Sequence, residues 1–504
     1  MRHHPPRLSA SGAPRELNRM IAGTLRSLEM GVVPLAVFLI GASPSASKSI
    51  PSSFATVSQW RRLIAWISRA DQVISIAVTS NIFRSTGLIK QGDDALDAVS
   101  KALDFPEVHK AFRLGSHRSV EPAETIERVS PLMAKMGITR IANVTGLDRI
   151  GIPVVMVCRP NSRSIAVCQG KGIDNDAATA SGLMEAAEIH HAEHVTLPLR
   201  LASFTEIARD HPVIDVARLP RVRDNRYHED LVMLWIEGFD LIGRQRLWLP
   251  FEMVRANYTL PLPPGSGCFD ASTNGLASGN HILEAVSHGL CEIIERDANT
   301  LWNRLNSIAR DQTQLDLETI DDGACREILR CLDAAGFDVA VWETTSDTCV
   351  PAFFCVLADT VRHQAHIGVG SGCHPARNIA LSRTLTEAVQ VRTTYISGAR
   401  DDLMPEEYGN PLLARRQAWA GQLKGSAPAR AYSGGPDYRS DTFNEDVAWL
   451  LRQVCRVGIK QVVAVNLTQP EFDLPVVRMV IPGLEGPDDH NGYVPGERAL
   501  RGSG

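Results

Sequence analysis

The sequence predicts an α+β fold of mixed sheets flanked by helices. Its 504 residues are 44% hydrophobic and 22% charged, so the chain can bury a sizeable core. Strand-like runs such as GIPVVMVCRP, DVAVWET and PVVRMVI alternate with helical segments and with Gly or Pro turns. This alternation continues through most of the chain, which indicates one large unit of mixed α and β structure.

The first 104 residues differ in composition from the rest. A Pro/Arg/Ser-rich start leads into an apolar run at 31–42, a Ser-rich break and an amphipathic stretch at 57–70. The apolar run contains Pro34 and is too short to cross a bilayer, which needs about 20 residues. We therefore predict an N-terminal extension of unknown role over 1–104, a single domain over 105–501 and no membrane segment.

Charge and cysteine usage exclude several classes of protein. The chain has 52 basic and 57 acidic residues, a formal charge of −5, and so lacks the broad positive field of a nucleic-acid binder. Its ten cysteines include no C-x-x-C pair, which argues against a zinc ribbon and against a secreted disulfide framework. A reducing cytoplasm is the expected location.

Three segments share a pattern in which a strand-like stretch runs through a glycine turn into a helix with a Glu-Ala pair. They cover 169–188, 274–296 and 368–392. Gly and Ala are common residues, so an internal repeat and a chance recurrence both stay open.

The helix of the second segment carries acidic residues along one face. Glu284, His288, Glu292 and Glu295 are four, four and three residues apart, which at about 100° per residue places them in an arc of roughly 80°. Neighbouring carboxylates repel one another, so we expect a cation beside them.

The other two helices have similar polar faces. The first combines Ser181, Glu185 and Glu188, and the third combines Arg383 and Glu387 with Gln390. Taken singly, each face could be solvated and held by intrahelical ion pairs. Taken together, clustered carboxylates are hard oxygen ligands that suit Mg²⁺ and disfavour zinc. Mg²⁺ held in this way commonly shares substrate phosphates, so a nucleotide is the expected ligand, although the chain has no Walker motif.

At these residues the sequence resembles the YcaO family. The family's motifs match Gly170-Lys171-Gly172, Ser181-x3-Glu185-xx-Glu188, the stretch from Asn274 to Asn280 with the following Glu284, Glu292, Glu295, Arg296 and Asp297, and Arg383-x3-Glu387 with Gln390 and Arg392. The resemblance covers roughly 108–501. The stretches ITRIANVTGLDRIGIPVV, TYISGARDDL and VIPGLEGP are similar to the branch that works with TfuA proteins.

The resemblance implies a YcaO-type fold that binds ATP between helices through Mg²⁺. It implies that the oxygen of a peptide-backbone amide is phosphorylated, that a nucleophile adds to the amide carbon, and that phosphate leaves. Family members form azolines from Cys, Ser or Thr, or install thioamides, and TfuA partners are associated with thioamides. No protein nucleophile is required, so the catalytic residue stays unknown.

The resemblance also implies roles for eleven residues. The expected metal ligands are Glu185, Glu188, Glu292 and Glu295. The expected nucleotide-binding residues are Lys171, Ser181, Asn280, Glu284, Arg296, Arg383 and Glu387. For Lys171, an exposed turn lysine is the alternative reading.

Two departures from the family pattern are notable. Ile189 stands where many members have an arginine, so a phosphate contact there is missing or supplied elsewhere. The proline-rich carboxyl terminus of many azoline-forming members is absent, which favours thioamide formation in a ribosomally made peptide.

The expected partners are a peptide or protein substrate and a TfuA-like protein, without nucleic acid or membrane, while a homodimer is left open. The alternative functions are an azoline-forming cyclodehydratase, a non-catalytic leader-peptide-binding scaffold and an unrelated ATP-dependent ligase.

Overall fold

The structure is a computed structural model that describes residues 106–361, 366–424, 428–488 and 492–501. The N-terminal extension expected over 1–104 lies outside the described residues, so its boundary with the domain at 105–501 stays a prediction. None of the described helices is long and apolar enough to cross a membrane.

Strands and helices alternate along the described chain. The strands are β1 (Arg140–Asn143), β2 (Val154–Cys158), β3 (Val167–Lys171), β4 (Leu199–Ala202), β5 (Met233–Asp240), β6 (Gln245–Pro250), β7 (Leu276–Ser278), β8 (Leu315–Asp316), β9 (Phe337–Glu343), β10 (Ala352–Asp359), β11 (Gly368–Cys373), β12 (Arg430–Ala431), β13 (Val463–Asn466) and β14 (Val476–Val480). The α-helices are α1 (Pro122–Val129), α2 (Asn175–Glu193), α3 (Phe204–Asp210), α4 (Ile282–Asn303), α5 (Ser307–Asp311), α6 (Gly323–Ala334), α7 (Arg377–Ser397), α8 (Asn410–Lys424), α9 (Phe443–Arg456) and α10 (Glu497–Arg501).

These strands form three antiparallel sheets and one short parallel pair. The largest sheet has the order β4-β5-β13-β14-β7, with β6 also paired to β5. Two three-stranded sheets have the orders β1-β2-β3 and β11-β10-β9, and β8 pairs in parallel with β12. The α+β class predicted from the sequence, with mixed sheets flanked by helices, is confirmed. In this arrangement β3, β7 and β11 each lie at one edge of a different sheet.

Each of these three edge strands leads through a three-residue turn into a long helix. The turns are 172–174 between β3 and α2, 279–281 between β7 and α4, and 374–376 between β11 and α7. At two of them a side chain caps the helix, because Asp174 accepts from Ala177 N and His281 accepts from Leu283 N. The three segments noted in the sequence are therefore strand–turn–helix units.

Glycines allow the helices to pack directly on their strands. A methyl group at Gly370 of β11 would overlap the backbone of α7 at Thr384 O and Ala388 N. A methyl group at Gly170 of β3 would overlap Ala178 O of α2. Helix and strand backbones are therefore in close contact in both units, which fixes the direction in which each helix faces.

The three helices bury their apolar faces in three different clusters. Leu183 of α2 belongs to one cluster with Trp235, Leu290 of α4 belongs to a second with Val477, and Leu385 of α7 belongs to a third with residues of β9 and β10. Each of the three leucines is fully buried. Because the apolar faces point outward into separate clusters, the polar faces of the helices are left to meet one another.

Candidate functional site

The polar faces of α2, α4 and α7 enclose a cavity of about 470 Å³. All eleven residues expected from the sequence to bind metal or nucleotide line this cavity. They are Lys171, Ser181, Glu185, Glu188, Asn280, Glu284, Glu292, Glu295, Arg296, Arg383 and Glu387. The structure thus brings the whole predicted set together, while the individual roles remain predictions.

Four carboxylates from α2 and α4 resist ionisation in this cavity. Burial, with the charge of Glu292, raises the pKa of Glu185 to about 7 against the opposing charges of Arg400 and Lys171. Burial, with the charges of Glu185 and Glu292, raises the pKa of Glu188 to about 8. Burial also raises the pKa of Glu292 and of Glu295, although Arg296 opposes it in both. The ionised forms therefore lack sufficient positive charge from the protein.

The oxygen atoms of these carboxylates are only partly engaged. Glu188 Oε1 accepts from Ser278 N at 2.8 Å and from Ser278 Oγ at 2.7 Å, and Glu295 Oε1 lies 3.2 Å from Arg296 Nη1. Within the described ranges, the Glu292 carboxylate makes no hydrogen bond or ion pair. An all-oxygen donor set with unmet negative charge fits a hard divalent cation such as Mg²⁺.

Glu284 has a different environment, although it shares the α4 face with the other carboxylates. Glu284 Oε2 accepts from Ser119 N at 3.0 Å and from Ser119 Oγ at 2.7 Å, and Arg118 Nε lies 3.6 Å from Glu284 Oε1. Nearby, Asn280 Oδ1 accepts from Thr125 Oγ1 at 3.1 Å. The cation expected beside the acidic stripe is thus present, and it comes from the segment before α1.

Sequence reasoning missed these α1-side residues. Ser119 and Glu284 are 165 residues apart, so no local spacing connects them. Ile189, which stands where the resemblance leads one to expect an arginine, is buried and lines the cavity, and Arg118 of the segment before α1 lines it too. Burial lowers the pKa of Arg118, which interacts with the charges of both Glu284 and Glu188 and so supplies a cation on this side.

The α7 face adds two cross-cavity pairs. Arg383 Nη2 donates to His288 Nε2 at 2.8 Å, and burial together with the charge of Arg383 lowers the pKa of His288 well below its ordinary value. Lys171 Nζ lies 2.5 Å from Glu387 Oε2. Burial alone would raise the pKa of Glu387, but the charges of Lys171 and Arg296 outweigh it and lower that pKa. Glu387 is therefore ionised and already neutralised.

The three units brace one another in a closed ring. Glu188 of α2 accepts from Ser278 of β7, and Arg296 of α4 donates to Ser371 Oγ of β11 at 3.5 Å. Gln390 Nε2 of α7 donates to the backbone oxygen of Gln169 in β3 at 3.0 Å. Each helix thus contacts the edge strand of another unit, so the sheets hold the site side chains in place.

The units also share one register. A glutamate that lines the cavity lies 14 residues after the last residue of each strand: 185 − 171, 292 − 278 and 387 − 373. The residues three positions after and four positions before each of these glutamates also line the cavity in all three units. The matched sets are Glu185, Glu292 and Glu387; Glu188, Glu295 and Gln390; and Ser181, His288 and Arg383. This register favours an internal repeat over chance, and it pairs Glu185 with Glu292 rather than with the Glu284 of the Glu-Ala pattern.

The raised carboxyl pKa values lead to a testable pH dependence. Glu185 and Glu188 have folded-state pKa values of about 7 and about 8 against an ordinary 4.5, so the folded state binds more protons than the unfolded state between these values. Without divalent cations, these two groups should therefore lower the free energy of unfolding as pH rises from about 4.5 to about 8. Burial lowers the pKa values of His190 and His191, and this acts in the opposite direction below about pH 6.5. Thermal unfolding in EDTA between about pH 7 and about pH 8, above the ordinary pKa of histidine, measures the decline that the two glutamates cause.

Two controls accompany this measurement. A Glu188→Gln variant should show a shallower decline, because one titrating group is removed. Mg²⁺ at about pH 8 should raise the unfolding temperature of the wild type, because it binds the ionised carboxylates. An unfolding temperature that rises between about pH 7 and about pH 8, or that does not respond to Mg²⁺ at about pH 8, would contradict this assignment.

The fold and site define a metal- and nucleotide-binding protein without a phosphate-binding loop. A family model described as YcaO cyclodehydratase, ATP- and Mg²⁺-binding, matches residues 169–485, which is more than half of the chain. The chain belongs to the YcaO family. The resemblance seen in the motifs is thereby confirmed, and so are the expected cofactors, ATP and Mg²⁺.

Similar proteins occur in bacteria and archaea. An uncharacterized protein in the tfuA 3′ region of Rhizobium leguminosarum bv. trifolii is 33% identical over 376 residues, which cover 73% of this chain and 88% of the relative. An uncharacterized protein of Methanothermobacter thermautotrophicus is also 33% identical over 376 residues, covering 73% of this chain and 95% of the relative.

Solved structures share the fold at lower identity. YcaO from Methanopyrus kandleri, bound with AMPPCP and Mg²⁺, aligns with a TM-score of 0.62 and 21% identity over 77% of this chain and 99% of that protein. A heterocyclase in complex with substrate and cofactor aligns with a TM-score of 0.63 and 21% identity over 76% of this chain. This chain spans only 54% of the heterocyclase's length.

Proposed function

We propose that this ATP-dependent YcaO enzyme activates a backbone amide of a ribosomally made peptide or protein for thioamide formation. The observation that carries the proposal is that four under-neutralised carboxylates line one cavity together with Lys171, Arg296 and Arg383. Carboxylates with too little neutralising charge and three cationic side chains in the same lining suit a metal-bound polyphosphate, because the metal ion meets the carboxylates and the phosphates meet the cations.

The proposed roles follow from position and charge. The two carboxylate pairs of α2 and α4 hold Mg²⁺. Arg296 and Arg383 neutralise phosphate charge, and the hydrogen bond to His288 directs the Arg383 guanidinium. Lys171 is paired with Glu387, so its ammonium would be shared between that carboxylate and a phosphate. Ser181, Asn280 and Glu284 line the same cavity and contact the nucleotide.

The chemistry balances with a sulfide donor. ATP supplies the phosphoryl group that the amide oxygen accepts. A hydrosulfide ion then adds to the amide carbon, the carbon–oxygen bond breaks, and the oxygen leaves within phosphate. The sum is amide, ATP and hydrosulfide giving thioamide, ADP and hydrogen phosphate. No cysteine is among the described residues that line the cavity, which supports a nucleophile supplied from outside the protein.

A TfuA-like partner is part of the proposal. It is supported by the 33% identical relative in the tfuA 3′ region and by the branch-specific stretches of the sequence. The partner would deliver the sulfur equivalent or present the substrate. A cytoplasmic location remains a prediction.

Mass spectrometry tests the proposed product. The protein is incubated with ATP, Mg²⁺, sulfide, a TfuA-like protein and the candidate peptide, and exchange of one oxygen for one sulfur is expected. Loss of one water with consumption of a Cys, Ser or Thr side chain would contradict thioamide formation. That outcome would identify an azoline-forming cyclodehydratase, the alternative supported by the family's name and by the heterocyclase fold. Peptide binding without any ATP turnover would indicate a scaffold.

A further inference from the structure

One end of the cavity is built from uncharged hydrogen-bonding groups. Gln390 and Thr394 lie on α7 about two and three turns beyond Arg383, or about 10 and 16 Å along the helix axis. Both contact Gln169 of β3. Gln390 Nε2 donates to Gln169 O at 3.0 Å, and Thr394 Oγ1 donates to Gln169 Oε1 at 2.5 Å.

Gln169 has an unmatched polar atom. Gln169 lines the cavity and is 4% exposed, and its buried Nε2 has no hydrogen-bond partner among the described residues. Exchanging the two ends of the carboxamide would still leave one polar atom unmatched, since Thr394 contacts only one of them. A buried amide group without a partner is unfavourable, and a ligand with a complementary group would remove that cost.

The surroundings favour an uncharged ligand at this end. Ile165, Val391 and Leu403 also line the cavity, and they are close in the chain to Gln169, Gln390 and Arg400 respectively. Asp402 accepts from Arg400 Nε at 2.8 Å and so offsets its charge. Neutral amides and apolar side chains in the same lining suit an uncharged group with one donor and one acceptor.

The shared register of the three units gives independent support. Gln390 occupies the position that holds Glu188 in α2 and Glu295 in α4. Glutamine keeps the size of glutamate but removes its charge and adds a donor. The preceding Glu387 is neutralised by Lys171. The third unit is thus neutral where the other two are acidic. Gln169 lies where this neutral side adjoins the metal-binding carboxylates, because its backbone N–H donates to Glu185 Oε2 at 3.4 Å.

We propose that Gln169, Gln390 and Thr394 form the subsite for the backbone of the peptide substrate. Gln169 Nε2 donates to a peptide carbonyl oxygen, and Gln390 Oε1 accepts from a peptide N–H. Thr394 holds the Gln169 side chain in position. The subsite is one helical turn from Glu387, so a peptide group bound there lies beside the charged centre of the cavity. The inference rests on the proposed function, because it assumes a peptide substrate.

Binding of a side-chain-free peptide tests the subsite. N-acetyl-triglycine amide is the probe, and saturation-transfer NMR with AMPPCP and Mg²⁺ present measures its binding to the full chain. The wild type should bind the probe, and Gln169→Leu and Gln390→Leu should each weaken binding about five- to tenfold, the effect of losing one neutral hydrogen bond. The affinity for Mg²⁺–AMPPCP, measured by calorimetry, should stay within about twofold on the same scale.

Gln314→Leu is the matched control. Gln314 is 7% exposed and has an unmatched Oε1, but it does not line the cavity. This variant should match the leucine variants in any loss of stability and should still bind the probe. Gln390→Glu keeps the side-chain size if a leucine variant fails to fold, and it should also weaken probe binding.

Several outcomes would overturn the subsite. They are a wild type that does not bind the probe, equal probe binding by all variants, and a parallel loss of nucleotide affinity, which would assign the glutamines to the nucleotide. The mass assay separates the two proposals. Sulfur incorporation with unchanged peptide KM in Gln169→Leu would remove the subsite and keep the function. Probe binding that depends on the two glutamines, without any peptide modification, would keep the subsite and remove the proposed function.

Discussion

Replacing Glu292 with glutamine is expected to abolish Mg²⁺-dependent ATP binding and to leave the fold intact. The Glu292 carboxylate makes no hydrogen bond or ion pair in the described parts of the chain, so the amide breaks no contact of the framework. The substitution removes one oxygen anion from the metal side of the cavity. We expect at least about a 100-fold loss of Mg²⁺–ATP affinity, or about 2.7 kcal/mol, measured by calorimetry.

A glutamate in the same core but outside the cavity provides the control. Glu193 of α2 is 3% exposed, pairs with Arg159 Nη2 at 2.5 Å and accepts from Ser164 Oγ at 2.8 Å. Glu193→Gln should lower stability, since it breaks a buried ion pair, and should leave ATP affinity unchanged. Glu292→Gln, by contrast, should leave stability unchanged and lower the affinity for Mg²⁺–ATP. Unchanged Mg²⁺–ATP affinity in Glu292→Gln would refute the metal assignment.

Replacing Gly370 with alanine should severely destabilise the protein. The added methyl group would meet Thr384 O and Ala388 N, which are backbone atoms of α7 and can move only if the whole helix moves. We expect a loss of about 3–5 kcal/mol in the free energy of unfolding, or an insoluble chain. Any folded fraction should bind ATP weakly, because the shifted helix carries Arg383 and Glu387. Chemical denaturation measures the loss.

Gly323→Ala is the matched control for this substitution. A methyl group at Gly323, at the start of α6, would meet no atom within 4 Å. Alanine there should leave stability unchanged or raise it slightly. Equal stability of the two alanine variants would show that α7 is free to shift away from β11.

The site was predictable from the sequence wherever local periodicity was informative. Helical spacing placed Glu284, Glu292 and Glu295 on one face because a helix repeats every 3.6 residues. Helical spacing could not show that Glu284 has a different environment from Glu292 and Glu295. Its environment depends on Arg118 and Ser119, which approach through the fold and not through the chain.

The fold was predictable to a similar extent. The strands β2, β9 and β14 lie in the runs GIPVVMVCRP, DVAVWET and PVVRMVI that the sequence analysis identified as strand-like. By contrast, β5 was not singled out, because Glu237 and Gly238 interrupt its apolar run. Sheet order and the meeting of three edge strands at one cavity depend on long-range pairing, which leaves no periodic signal in a single sequence.

The edges of β3, β7 and β11 have a further consequence, for self-association. An open strand edge offers unpaired backbone groups to a second molecule and promotes aggregation. In this protein the backbone N–H groups of Gln169, Ser278 and Ser371 are covered, because they donate to the side chains of Glu185, Glu188 and Glu387 respectively. A fluctuation that moves one helix away from its strand would expose an aggregation-prone edge and disrupt the cavity at the same time. Ligand binding should therefore reduce aggregation, because it holds the three helices against the strand edges that they cover.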